Sequence, residues 1–258
     1  MSESVRRHYE YYLSNRNNLA AVSPHNYQGQ MKSDLLHCYE VDTNALDEMK
    51  AAIRKPQYVF GGTSNKCQYC TINTSSTVDH YLPKEIYPEF AVYALNLVPC
   101  CHECNGFKGT IFLIDGERQF VNFYFDLLPV RRFLRVRFEF KDEVIPVPTY
   151  YVEQIPEISG ELVDIINNHF QRLQLNRRYS ECTSDVITGH ILSIQQNGLV
   201  GNFLTITELL HDEASKDQRM FGHNFWRSVL TEELANSEHF ITITIPTVIA
   251  NPRINLRP

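Results

Sequence analysis

Apolar residues recur at helical spacing through the first sixty positions. Val5, Tyr9, Tyr12 and Leu19 form a ragged stripe interrupted at Arg16, and a second run from Ala45 to Ile53 stops before Lys55-Pro56. Two helices are expected there. Gly61-Gly62-Thr63-Ser64 then reads as a turn. Further on the period changes. Leu134, Val136, Phe138 and Phe140 alternate with Arg135, Arg137 and Glu139, the pattern of a half-buried strand. From Gly160 the helical period returns. Leu162, Ile165, Ile166, Phe170 and Leu173 fit one helix, and Tyr179, Cys182, Val186, Ile187 and Ile191 fit a second that should stop at Asn197-Gly198. Thr207 is expected to cap a third, and Phe225, Trp226, Val229 and Leu234 to lie on a fourth. The alternating ITITI at 241–245 reads as a strand and the tail after it as extended. The sum is an α+β protein, mostly helical, in three regions: 1–60, 61–115 and 116–258.

Of the 258 residues, 43% are hydrophobic and 21% charged, which excludes a disordered or fibrous chain. The opening residues MSESVRRHYEYY hold no apolar segment of the secretory kind, and the stretch from Phe240 to Ala250 is too short and too broken by Thr and Pro to span a bilayer. A cytoplasmic protein without a membrane segment is the expectation. The net charge of −6 argues at first sight against nucleic acid, but it is unevenly spread. Only residues 51–140 are net positive, and the densest basic cluster, Arg131, Arg132, Arg135 and Arg137, lies at the end of that stretch. Its strand face can be a solvated surface or a phosphate track. The acidic stretch from 141 onward suits packing on itself or a protein partner. No P-loop and no internal repeat occur.

The cysteines change the picture. There are seven, an odd number, in a chain expected to stay in a reducing compartment. Four of them form two C-x-x-C knuckles, Cys67-Gln-Tyr-Cys70 and Cys101-His-Glu-Cys104. Two such knuckles complete a tetrahedral sulfur site for Zn2+, against the alternatives of buried inert thiols or a redox pair. Cys100 lacks the two-residue spacing and is expected to pack, and Cys38 and Cys182 are expected in the core. His102, between zinc cysteines, should be exposed. His169, His190, His211 and His223 read as ordinary residues on helix faces.

Between and just after the knuckles the chain carries Asp79-His80 at the end of a β-like run, then Pro83, then Asn96-Leu97, then Asn105 directly after Cys104, and Lys108 on a short helix. In order and spacing, residues 67–109 resemble the HNH endonuclease family, in the variant with asparagine at the third position. The resemblance implies a ββα-metal module stapled by zinc and embedded in the helical protein. It implies that Asp79 and Asn105 hold a catalytic Mg2+ or Mn2+, that His80 activates water, that Asn96 fixes the loop and orients the His80 ring, and that Lys108 contacts phosphate. The chemistry suits the residues. An imidazole titrates near neutrality, and a hard cation takes few oxygen ligands from the protein and leaves the rest to water and phosphate.

The motif Asp79-His80-Tyr81-Leu82-Pro83-Lys84 is further similar to HNH effectors of bacterial anti-phage operons, above all the nuclease subunits of Septu-type systems and their retron-linked forms. That similarity implies an ATPase partner from the same operon and a nucleic-acid substrate, DNA before RNA or tRNA. Two other readings stay open: a zinc-stabilised module that grips nucleic acid without cutting, and an adaptor subunit.

Overall fold

The computed structural model describes residues 3–59, 62–158 and 160–256. In chain order the elements are α1 (Glu3–Ser14), α2 (Gly29–Glu40), α3 (Asn44–Ile53), β1 (Gln57–Val59), β2 (Gly62–Ser64), β3 (Thr77–His80), β4 (Leu97–Cys100), α4 (His102–Lys108), β5 (Leu113–Ile114), β6 (Glu117–Arg118), β7 (Leu134–Lys141), β8 (Ile145–Val152), α5 (Gly160–Arg172), α6 (Leu175–Gln196), α7 (Phe203–Phe221), α8 (Trp226–Asn236) and α9 (Ile245–Ala250). The protein is α+β and mostly helical, and its strands form two-stranded pairs. No helix among the described residues is long and apolar enough to cross a membrane.

Two compact units form, and neither is continuous in sequence. The first comprises Met1–Tyr58, Thr63–Leu128 and Gly160–Leu173. Its core is aromatic: Tyr12, Tyr81 and Phe90 are fully buried. Tyr12 meets Phe90 and Tyr93 edge-on, each at 5.1 Å between ring centroids, a favoured geometry for ring quadrupoles. The antiparallel pair β3–β4 sets Asp79 opposite Val98 and His80 opposite Leu97. The Cys101 sulfur accepts the Cys104 N–H as the N-cap of α4, and Gly109 ends that helix at φ 51°, a conformation favouring glycine.

The second unit comprises Val59–Gly62, Pro129–Ser159 and Gln174–Pro258. Its hairpin β7–β8 pairs Leu134 with Val152 through Lys141 with Ile145. Tyr150 on β8 packs on Tyr179, which stacks on Trp226 at 5.9 Å and 12°. The basic cluster has local partners. Arg135 pairs with Glu153 at 2.7 Å, Arg137 lies over the Tyr151 ring, and Arg131 pairs with Glu157.

Several sequence expectations need correction. Helix α1 ends at Ser14, and Leu19 reaches the core from a separate 3-10 turn, Leu19–Ala21. Helix α2 was not expected at all, and its periodicity is weak because none of its residues is fully buried. Gly61 lies outside the described residues, while Gly62–Ser64 is a strand rather than a turn. Asn202, not Thr207, caps α7, its side chain accepting the Thr205 N–H. The ITITI segment is not a strand: Phe240–Thr244 is a π-helical turn leading into α9, so the tail is helical as far as Ala250. Cys38 is exposed rather than in the core, and Cys182 is half-buried. Helix α6 does stop where Asn197-Gly198 placed its end, with Gly198 at φ 66°.

Candidate active site

The two knuckles converge. Cys67, Cys70, Cys101 and Cys104 are all buried, with their sulfurs within 4.8 Å of one another. A tetrahedral zinc with Zn–S bonds of about 2.3 Å holds its sulfurs about 3.8 Å apart. The Cys70 and Cys101 sulfurs are separated by 3.9 Å, so the donor set fits zinc in chemistry and size. Cys100, the last residue of β4, is fully buried and outside the cluster; burial pushes its thiol pKa up, which keeps it protonated and inert.

Asp79 and His80 end β3, where β-branched Thr77 and Val78 favour the extended backbone. Asp79 is only 3% exposed, with a polar partner on each oxygen. The Tyr69 hydroxyl, from inside the first knuckle, donates to its Oδ2 at 2.8 Å. Burial and then the neighbouring Asp79 push the Tyr69 phenol well above its ordinary range, so it keeps the proton it donates. The Lys108 ammonium lies 3.0 Å from Asp79 Oδ2 and donates to Oδ1 and to the His80 carbonyl. Two hydrogen bonds and the ion pair supply the partners that a buried cation requires. Lys108 has no exposed surface. Its geometry is that of an anchor for Asp79 and differs from the phosphate contact implied by the resemblance.

The His80 ring is fixed by one bond. Its Nε2 is 2.9 Å from the Ala91 carbonyl. A carbonyl only accepts, so Nε2 carries the hydrogen and the neutral ring presents its lone pair at Nδ1. Burial lowers the His80 pKa below its ordinary 6.5, favouring that neutral form. Tyr39 of α2 packs edge-on against the ring at 4.4 Å. Asn96 has no exposed surface; its Oδ1 accepts the Leu82 N–H at 2.8 Å, and its Nδ2 donates to the carbonyls of Leu82 and Phe90. It thereby ties together the loop whose next residue, Ala91, holds His80.

Asn105 stands one turn before Lys108 on α4, where residues three apart share a face. Its side chain makes no hydrogen bond among the described residues, leaving an amide oxygen uncommitted. The Asp79 carboxylate offers about four lone-pair positions, not all of them taken. A carboxylate and an amide oxygen are each the hard oxygen donors that Mg2+ or Mn2+ takes.

Four site neighbours have no signature in the motif: Tyr69, Tyr39, Tyr12, whose hydroxyl donates to the Leu95 carbonyl beside Asn96, and His169. His169 corrects an expectation. It is buried, its Nδ1 accepting the Val121 N–H and its Nε2 donating to the Tyr69 carbonyl. Helical periodicity carries a signal for it, since 169 follows Ile165 and Ile166 by four and three residues. His190 bridges Thr231 and Glu213, and His223 lies in the turn after α7. His102 is exposed, as expected.

Comparison with known proteins gives two likenesses. The chain is 29% identical to Protein ea31 of Escherichia phage lambda over 214 residues, 77% of this chain and 71% of that protein. It is 43% identical to the Septu protein PtuB of Bacillus thuringiensis over 53 residues, 19% of this chain and 21% of PtuB. No family model and no solved structure matches. The buried four-cysteine cluster and the partial likeness to PtuB fit a zinc-stapled HNH unit.

Proposed function

We propose that the protein is a metal-dependent HNH endonuclease that hydrolyses phosphodiester bonds, DNA before RNA. The observation that carries the reading is the His80 ring, held through Nε2 by Ala91 so that Nδ1 is the free base, beside a buried and anchored carboxylate. In this reading Nδ1 takes the proton of the attacking water. Asp79 and Asn105 are the residues that would hold Mg2+ or Mn2+, which when bound supplies positive charge to the phosphate. Asn96 acts through the 82–91 loop to keep the ring aimed, and Lys108 keeps Asp79 in place. The four cysteines take no part in the chemistry; zinc there staples a ββα unit too small to build its own core.

The likeness to PtuB, named a Septu protein, supports a role in anti-phage defence. The resemblance to Septu-type nuclease subunits extends that role to a complex with an ATPase, and the acidic stretch from 141 onward suits such a partner. The test is to purify the tagged protein from its native host with whatever it binds. Plasmid DNA and RNA are then incubated with it and Mg2+ or Mn2+, comparing wild type with His80→Ala. Cutting by wild type alone, with zinc content equal in both, is the expected result. Equal cutting overturns His80 as the base, and no cutting by either protein, with or without an ATPase, overturns the nuclease reading.

A further inference from the structure

Helix α1 has two faces. Tyr9 and Tyr12 turn inward, Tyr9 stacking on Tyr93 and Tyr12 entering the aromatic core. Ser4, Arg7, His8 and Tyr11 follow the i, i+3, i+4, i+7 rule along another face. With His25 and Tyr27 these four line a cleft of about 470 Å3. The six lining side chains include no carboxylate. They offer a guanidinium, two imidazoles and three hydroxyls, of which the Tyr11 hydroxyl is already spent on the Ala21 carbonyl and the Ser23 N–H.

The cleft is held in shape. His8 Nε2 is 2.8 Å from the Tyr27 hydroxyl, the His8 and His25 rings meet edge-on at 3.9 Å, and the His25 and Tyr27 rings lie nearly parallel at 18°. Glu89, itself 3% exposed, fixes His25 from beneath: its Oε1 accepts the His25 backbone N–H at 3.1 Å and lies 3.7 Å from the ring Nδ1. Its Oε2 is buried without a hydrogen-bond partner. Arg7 has one acidic neighbour, Glu3 at 3.0 Å, but both side chains are more than two-thirds exposed, and such a solvated pair yields readily to a better anion.

The cleft is also coupled to the candidate active site. Glu89 lies on the 3-10 turn Pro88–Phe90, and the residue after that turn, Ala91, carries the carbonyl that holds His80. One short turn thus sits under His25 on one side and behind the proposed base on the other, all within one compact unit.

We infer that this cleft binds the phosphodiester backbone of the polynucleotide substrate, with Arg7 and His25 meeting phosphate and the Ser4 and Tyr27 hydroxyls beside them. The inference rests on the nuclease reading and gives that reading a place for substrate beyond the scissile bond. Contacts of this kind position a polynucleotide without reading its sequence.

The test is a binding measurement, separable from cleavage. The full-length protein, with no added Mg2+ or Mn2+, is titrated into a fluorescein-labelled 20-base-pair DNA duplex and a 20-nucleotide RNA while anisotropy is followed at several salt concentrations. Arg7→Ala and His25→Ala are compared with wild type and with Arg16→Ala, which removes a charge from an exposed position near the end of α1. The expected result is several-fold weaker binding for Arg7→Ala and His25→Ala on at least one of the two probes. On the duplex, the slope of log K against log salt should also fall by about 0.9 for Arg7→Ala, which removes a permanent charge. Arg16→Ala should match wild type. Unchanged affinity in both cleft variants, an equal loss in Arg16→Ala, or no binding by wild type overturns the assignment. So does displacement of the probes by millimolar inorganic phosphate, which would assign the cleft to the free ion. Cutting that persists without binding here leaves the nuclease reading intact, and binding without cutting does the reverse.

Discussion

The Tyr69 hydroxyl donates to Asp79 Oδ2 at 2.8 Å, and both groups are buried. Tyr69 stands between two cysteines of the staple, so the carboxylate proposed to hold the catalytic cation is tied directly to a zinc knuckle. A hydrogen bond to a buried charge contributes about 1.5–3 kcal/mol. Tyr69→Phe should retain zinc and fold, need more Mg2+ for half-maximal cutting, and lose about ten- to hundredfold in rate. Zinc content, metal dependence and rate measured together check this. A rate and metal dependence equal to wild type would show that the link is structural only.

His80 sets a pH limb. Burial lowers its pKa below the ordinary 6.5, so the neutral form with a free Nδ1 predominates at neutrality and is lost only on acidification. The cleavage rate should be flat above neutrality and fall with an acid midpoint below 6.5, provided chemistry limits the rate. His80→Ala should abolish that limb and reduce the rate by roughly 10²–10⁴-fold. A pH–rate profile at saturating metal measures both.

The cysteines divide by role. Metal analysis should return one zinc per chain. Cys67→Ser or Cys104→Ser should lose it, with a clear fall in melting temperature, because the ββα unit depends on the staple. Cys100→Ala should keep zinc, since Cys100 lies outside the cluster, and should lose only the small stability of a buried thiol.

His169 makes stability pH-dependent. Complete burial lowers its pKa to about 4, against 6.5 in the unfolded chain, so the native state binds the proton less well than the unfolded state. Its contribution is complete above 6.5 and disappears as pH falls towards 4. Between pH 7 and pH 5 the loss is about 2 kcal/mol. Urea unfolding at both values should show the loss, and His169→Gln should shrink it.

What the sequence makes legible is what depends on local spacing. The knuckles, the end of α6 at Asn197-Gly198 and the strand from Leu134 each follow from residues within a turn or two of one another. The support of the site does not. Tyr39 reaches His80 and Tyr12 reaches Leu95 from distant helices, and no local pattern reports such contacts. Strand β8 is masked by Pro146 and Pro148, which a two-stranded hairpin tolerates because each strand keeps an open edge. Helix α2 hides for the opposite reason, having no fully buried position to impose a period on the sequence.

The turn Phe240–Thr244 holds in a π-helix a sequence whose intrinsic preference is the reverse. Phe240, Thr244 and Ile245 are fully buried, so tertiary packing alone keeps FITITI coiled. Once released by heat, those six uncharged residues, with no proline or glycine among them, have the composition of a steric zipper. Heating past the melting point should therefore bring aggregation through this segment, which light scattering during a thermal scan would register. Endurance at elevated temperature would then be a half-life rather than an equilibrium.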